Sequence, residues 1–283
     1  MRALVTGGGG FAGRHLVNRL REAGYTVAPA GHNTEISVDF RLFEQVAELI
    51  SDFRPELSFH LAGTTSVVEM ARDPMGGNQN VVKPAINLME ALAQRVPASR
   101  LLLVSTCEVY GRPQRLPIDE DCPMAPIDVY GSARAAVEYM VGGYRGRGLD
   151  VQIVRAFHHA GPGQDRRALL GDWAARVAAG ERQIAVGNLQ LRRDYSDVRD
   201  VVAGYQLIAE NGMRNGLYNL CSGQAHSLAE LFRLLCGPEV EAVEEPSPRM
   251  EAPVLLGSAA RAEALGWKRR YALAQTLADL AGR

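Results

Sequence analysis

The segment Thr6-Gly7-Gly8-Gly9-Gly10-Phe11-Ala12-Gly13 restricts what this chain can fold into more than any other. It follows Ala3-Leu4-Val5, an apolar run that reads as a buried strand. It opens a stretch from Phe11 to Ala23 with Leu16, Val17 and Leu20 on one helical face. Gly7, Gly10 and Gly13 stand at GxxGxxG spacing. Missing side chains let the turn close, let a pyrophosphate approach the backbone and let helix pack on strand. The helix N-terminus then offers free N–H groups to phosphate oxygens. At the first strand-to-helix turn of an alternating pattern, the segment reads as a dinucleotide clamp.

The alternation continues through the first half. Tyr25-Thr26-Val27-Ala28, Leu57 to Leu61, Leu101 to Val104 and Val151 to Val154 read as strands. Phe43 to Ile50, Val81 to Gln94 and Tyr130 to Tyr144 read as helices. Strands that are apolar almost throughout need cover on both faces, so the expected fold is α/β, a Rossmann-type doubly wound parallel sheet. The rhythm changes after residue 160. Ala168 to Ala179 and Leu228 to Leu235 read as helices and Leu217-Tyr218-Asn219-Leu220 as a strand, while 182–193 reads as irregular and 237–253 as a surface loop. The expected division places residues 1–160 and about 194–215 in the dinucleotide domain. A smaller discontinuous α/β lobe takes about 161–193 and 216–283, with ligand between the two.

Charge and length exclude other classes. Among 283 residues, Lys+Arg is 31 and Asp+Glu 32, so no net field favours nucleic acid. No apolar run approaches the ~18 residues that span a bilayer, so no membrane partner is expected. The N-terminus lacks the apolar core of a signal peptide, and a cytoplasmic protein is expected. Cys107, Cys122, Cys221 and Cys236 form no CxxC, so no metal site and no disulfide framework are expected.

Two stretches bear on cofactor and chemistry. The end of the second strand, Ala28-Pro29-Ala30-Gly31-His32-Asn33, carries no carboxylate to hold an adenosine ribose. That tilts NADP or NAD slightly toward NADP, with Asp39-Phe40 left to meet the adenine edge. Tyr130 and Arg134 lie four apart, on one helical face. A fixed cation there stabilises a phenolate, making Tyr130 an acid–base group, and also reaches the nicotinamide ribose.

Taken together, the glycine loop, His60-Leu61-Ala62-Gly63, Ser105-Thr106-Cys107-Glu108-Val109-Tyr110-Gly111 and Tyr130-x-x-x-Arg134 resemble the extended short-chain dehydrogenases/reductases that act on nucleotide sugars. Arg155 to Gln164, Leu191 to Val201, Tyr218 to Gln224 and Gly266-Trp267-Lys268 resemble segments of the GDP-4-dehydro-6-deoxy-mannose reductases of that family. The resemblance implies cofactor contacts from Gly7, Gly10, Phe11, Gly13, Asp39, Phe40, Leu61, Ala62, Gly63, Tyr130 and Arg134. It implies catalytic roles for Thr106, Tyr130, Arg134 and Glu108, and a GDP-sugar substrate held by Thr106, His158, Arg193 and Arg249. Tyr110 becomes a packing residue.

Three departures stand out. Arg134 replaces the family's Lys and cannot join a proton relay, because it does not deprotonate. Cys107 replaces the Asp of the two-acid dehydratases. His158 replaces an Asn that contacts substrate. The activity implied is 4-ketoreduction of an NDP-4-keto-6-deoxy-hexose. Epimerisation or 4,6-dehydration by an enzyme with tightly bound NAD(P)+ stays open, as does a cofactor-binding protein with weakened catalysis. A homodimer through a four-helix bundle of the 81–94 and 130–144 helices is expected, with Ala85, Leu88, Met89 and Leu92 as an apolar stripe.

Overall fold

The computed structural model describes residues 1–64, 67–246 and 250–282. β1 (Arg2–Thr6) leads into α1 (Phe11–Glu22), and β2 (Thr26–Ala30) is followed by α2 (Phe43–Phe53). β3 (Leu57–His60) leads to the short α3 (Val67–Arg72) and the long α4 (Pro74–Arg95). β4 (Arg100–Thr106) ends in a single 3-10 turn, Cys107–Tyr110, and precedes α5 (Val129–Gly146) and β5 (Asp150–Ala156). Then come β6 (His158–Ala160), α6 (Leu169–Ala178), β7 (Gln183–Val186), β8 (Arg192–Asp197), α7 (Val198–Asn211), β9 (Leu217–Leu220), β10 (Ala225–Ser227) and α8 (Leu228–Cys236). The chain closes with β11 (Glu241–Glu244), β12 (Val254–Leu255), α9 (Ala260–Ala264) and α10 (Leu273–Leu280).

Six parallel strands in the order β2-β1-β3-β4-β5-β9 form the main sheet. Alternation along each strand feeds two cores. Ala3 and Val5 join the layer of α1 and α7, while Leu4 joins that of α2, α4 and α5. The chain runs outward from β1 to β2, then returns to the other side of β1 as β3. That reversal opens a crevice at the carboxyl ends of β1 and β3.

β8 organises a second sheet. It pairs with β10 and β12 and, in parallel, with β6. β7 and β11 form a two-stranded parallel ribbon over a third core containing Trp173, Ile184, Phe232 and Leu277.

The structure redraws several expected boundaries. β9, expected in the second lobe, lies in the main sheet beside β5. Its Tyr218, Asn219 and Leu220 are buried, and only a covered sheet satisfies such a strand. β8 falls partly in the stretch read as irregular and partly in the segment given to the first domain, yet belongs to the smaller sheet. β7 also lies in that irregular stretch. Its alternation, Gln183 and Ala185 out, Ile184 and Val186 in, is a two-residue period masked by polar neighbours. β11 lies within the expected loop. α4 begins at Pro74, earlier than expected. Asp73 caps it by accepting from Gly76 N at 3.0 Å, and Pro occupies its first turn, where no N–H is needed. The stripe Ala85, Leu88, Met89 and Leu92 is fully used inside the chain, all four residues being buried in the core shared with α2 and α5. Among the described residues no helix is long and apolar enough to cross a membrane.

Candidate active site

The glycine loop closes onto the end of β3. Gly7 adopts φ 70°, and a Cβ there would stand 2.9 Å from Ala62 N. A Cβ on Gly13 would lie 2.1 Å from the Gly7 carbonyl oxygen, so helix and loop touch as closely as backbone allows. Gly10 differs: a Cβ there would meet only the Gly7 oxygen, at 3.2 Å. Gly10 caps α1 without a side-chain hydrogen bond, and the first turn holds no acid. This helix end is thus open and electropositive, and fits a diphosphate.

His60 and Thr6 lock β3 to β1. Thr6 Oγ1 and His60 Nδ1 are 2.8 Å apart, and Ala62 N donates to Thr6 Oγ1 at 3.2 Å. Burial, reinforced by the Arg134 charge, holds His60 down at about 3 from its ordinary 6.5. Between those values the unfolded chain binds a proton that the folded chain does not. Stability therefore rises with pH in this window and falls as the pH drops below 6.5. Urea unfolding at pH 7, 6 and 5 should show that loss, and His60→Asn should flatten it by one proton's worth. An unchanged slope in the variant would refute this account.

α5 carries Tyr130 and Arg134. Asp128 caps it, accepting from Gly131 N at 2.7 Å. Behind the site, Arg155 of β5 donates to Glu138 of α5, with Nη2 to Oε2 at 2.8 Å, and Ser105 of β4 donates to the same carboxylate. This buried network fixes α5 against β4 and β5. Arg134 is 6% exposed. Its guanidinium carbon lies 5.4 Å from the Tyr130 ring centroid, and it donates to Val104 O and Thr64 O at 3.3 and 3.4 Å. Both bonds are long, and among the described residues Nε has no partner. A Cβ on Gly63 would be 3.5 Å from Arg134 Nη2, so the cation stands beside the His60–Gly63 turn.

Thr106 ends β4. Its Oγ1 accepts from Glu108 N at 3.3 Å. The Glu108 carbonyl abuts α5, since a Cβ on Gly131 would be 2.6 Å from it. Tyr110 is buried, donates to Asn219 Oδ1 at 2.7 Å and sits under Arg155. Burial raises its phenol above the ordinary range, as suits a packing residue.

Beyond β5, His158 faces the turn after β4. Its Nε2 is 3.5 Å from Glu108 Oε1, its Nδ1 4.0 Å from Cys107 Sγ, and its ring 5.3 Å from that of Tyr195. His159 instead stacks on Phe11, and its Nδ1 pairs with the Phe157 carbonyl.

The remaining expected residues are placed differently. Arg193 is buried, donating to Arg192 O and Ala252 O, with Glu251 at 3.6 Å. Arg249 lies outside the described residues. Asp39 does not stand open. Arg41 donates to both its oxygens and holds its carboxyl at about 2, below the usual carboxylate range. Phe40 is buried, its carbonyl accepting from Asn87. Sequence reading missed Arg41, which follows Asp39 directly, and Asp194, which accepts from the N–H groups of Ser222, Gly223 and Gly257 and ties the lobe to the main sheet. It also missed the contact of Cys107 with His158, since no periodicity links residues 51 apart.

A Pseudomonas aeruginosa GDP-6-deoxy-D-mannose reductase is 32% identical, over 98% of this chain and 94% of its own. A UDP-glucose 4-epimerase of Mycolicibacterium smegmatis is 30% identical, over 98% and 96%. The solved structure of RMD from Pseudomonas aeruginosa complexed with NADPH superimposes with a TM-score of 0.90 at 31% identity, covering 99% of this chain and 97% of that one. The NAD dependent epimerase/dehydratase family matches residues 3–221, and with most of its length matched in this way the chain belongs to that family.

Proposed function

We propose that the protein is a nucleotide-sugar 4-ketoreductase acting on a GDP-4-keto-6-deoxy-hexose. The observation that carries the reading is one unbroken run of contacts. The glycine loop touches Ala62, Gly63 adjoins Arg134, Arg134 faces Tyr130, and the α5 turn carrying Tyr130 abuts Glu108 beyond Thr106. Cofactor clamp and acid–base groups thus share one crevice. The full-length likeness to a GDP-6-deoxy-D-mannose reductase supports the substrate class.

Gly7, Gly10, Phe11 and Gly13 would hold the diphosphate of NAD(P)H, and Leu61, Ala62, Gly63 and Arg134 the nicotinamide side. The lack of a carboxylate after β2 favours NADPH. When bound, the nicotinamide supplies a hydride equivalent to C4. Tyr130 donates its phenolic proton to the C4 oxygen as charge develops there. Thr106 donates a hydrogen bond to the same oxygen and holds it for that transfer. Arg134 sets a permanent positive charge beside the phenol. His158 and Glu108 line the sugar side, and Arg249 would take the substrate diphosphate through its planar donor fork, while Arg193 stays bound to the Arg192 and Ala252 carbonyls. The test is NADPH consumption at 340 nm with GDP-4-keto-6-deoxymannose; no consumption across GDP-, dTDP- and UDP-4-keto sugars would sink the reading. The similarity to UDP-glucose 4-epimerases favours a second reading, epimerisation. Interconversion of UDP-glucose and UDP-galactose without added NADPH would establish that one instead.

A homodimer joined through the outer face of α5 belongs to the same reading. Tyr139 is 72% and Met140 40% exposed, and Gly142, Gly143 and Gly146 leave open space beside them. Tyr139→Glu should convert a dimer to a monomer by light scattering; a wild-type monomer would overturn this.

A further inference from the structure

Two of the three departures from the family pattern face one another. Cys107, where the two-acid enzymes have Asp, stands 4.0 Å from Nδ1 of His158, where the reductases have Asn. Glu108, on the same 3-10 turn as Cys107, stands 3.5 Å from the other ring nitrogen. One sulfur, one imidazole nitrogen and one carboxylate oxygen all lie within 4.8 Å of one another. The proposed reduction gives Cys107 no part.

We propose that Cys107, Glu108 and His158 form a binding site for a thiophilic divalent cation of the zinc class, at the edge of the sugar cleft. Thiolate, imidazole and carboxylate are the donor types zinc takes, whereas magnesium and calcium call for oxygen alone. With ligands about 2.0–2.3 Å from a tetrahedral metal, donor atoms stand about 3.3–3.7 Å apart, so closing the set asks for a contraction of about an ångström. Cys107 is buried in the turn Cys107–Tyr110, so the contraction falls to His158, 27% exposed at the cleft, and to Glu108. Three protein ligands leave the fourth position for water or a substrate oxygen. Binding breaks the Cys107 S–H bond, releases that proton to solvent and forms a metal–sulfur bond, with no change of oxidation state. Occupancy removes Glu108 and His158 from the sugar and sets a cation beside Thr106. Such a metal therefore inhibits turnover, and a chelator restores it.

The decisive measurement is binding, which does not depend on the reaction proposed above. Chelator-treated full-length protein is titrated with Zn2+ against a chromophoric chelator, and with Co2+ under optical absorption. One saturable Zn2+ site per chain is expected, along with a near-ultraviolet thiolate-to-cobalt band. Cys107→Ser, Glu108→Gln and His158→Asn should each weaken Zn2+ binding at least about tenfold, the lower bound set by loss of a mere outer-sphere partner. Cys122→Ser, a buried cysteine elsewhere, should leave it unchanged. Absence of the cobalt band in the wild type, or equal loss in Cys122→Ser, would overturn the proposal. The wild-type spectrum decides the matter even where a variant fails to fold.

Discussion

Tyr130→Phe should lower turnover by about 10²- to 10⁴-fold, the range a positioned proton donor supplies. The substitution removes one oxygen from a side chain that is 8% exposed and leaves its packing volume intact, so the fold should persist. NADPH affinity, read by fluorescence titration, should change little, because the glycine loop that holds the diphosphate is untouched. The effect should therefore fall on kcat rather than on cofactor binding. Full activity in this variant would remove Tyr130 from the chemistry and assign the proton transfer to another group. Tyr110→Phe is the contrasting case. It breaks a buried hydrogen bond to Asn219, so its cost should appear in stability, about 0.5–1.5 kcal/mol, rather than as loss of a chemical step.

Two alanine substitutions in the glycine loop should fail for different reasons. In Gly13→Ala, the new Cβ would stand 2.1 Å from the Gly7 oxygen and 2.9 Å from Gly8 Cα. Backbone atoms cannot yield as a flexible side-chain end does, so α1 must shift away from β1. Overpacking of this kind costs about 1–3 kcal/mol, and more where backbone alone resists. Denaturant unfolding should register that loss even without cofactor. In Gly10→Ala, the nearest atom is the Gly7 oxygen at 3.2 Å, and stability should be nearly unchanged. The methyl would instead stand where a diphosphate meets the uncapped end of α1, and NADPH affinity should drop at least about tenfold, 1.4 kcal/mol. If Gly10→Ala binds NADPH normally, the phosphates do not approach at this helix end.

The main sheet was legible because its strands are apolar on both faces and its helices carry one apolar stripe, and both patterns survive any tertiary context. The smaller lobe was less so. β7, β11 and β12 are two to four residues long, too short for a period to emerge from polar neighbours. The start of α4 was signalled by Asp73-Pro74 but obscured by Gly76-Gly77, which argue against a helix on propensity alone. The stripe on α4 shows a further limit: amphipathicity says that a face is buried, and packing on α2 and α5 within the chain answers that need without a second subunit.

At the site, each local part follows from the residues themselves. Glycine must stand where the turn closes, Tyr130 and Arg134 share a helical face, and Thr106 ends a strand. Those are matters of near-neighbour geometry, set by backbone sterics and helix pitch. Which parts meet is a matter of long-range packing. Parallel pairing of β4 with β5 brings the turn after Thr106 opposite His158, so that Cys107 and Glu108 reach a ring 51 and 50 residues away. The same folding draws Arg193 inward to the Ala252 carbonyl and ties Asp39 to Arg41. Contacts of this kind depend on strand order and on competition among partners for each charge. Neither is written in local sequence, because both are settled only when distant segments exclude water together.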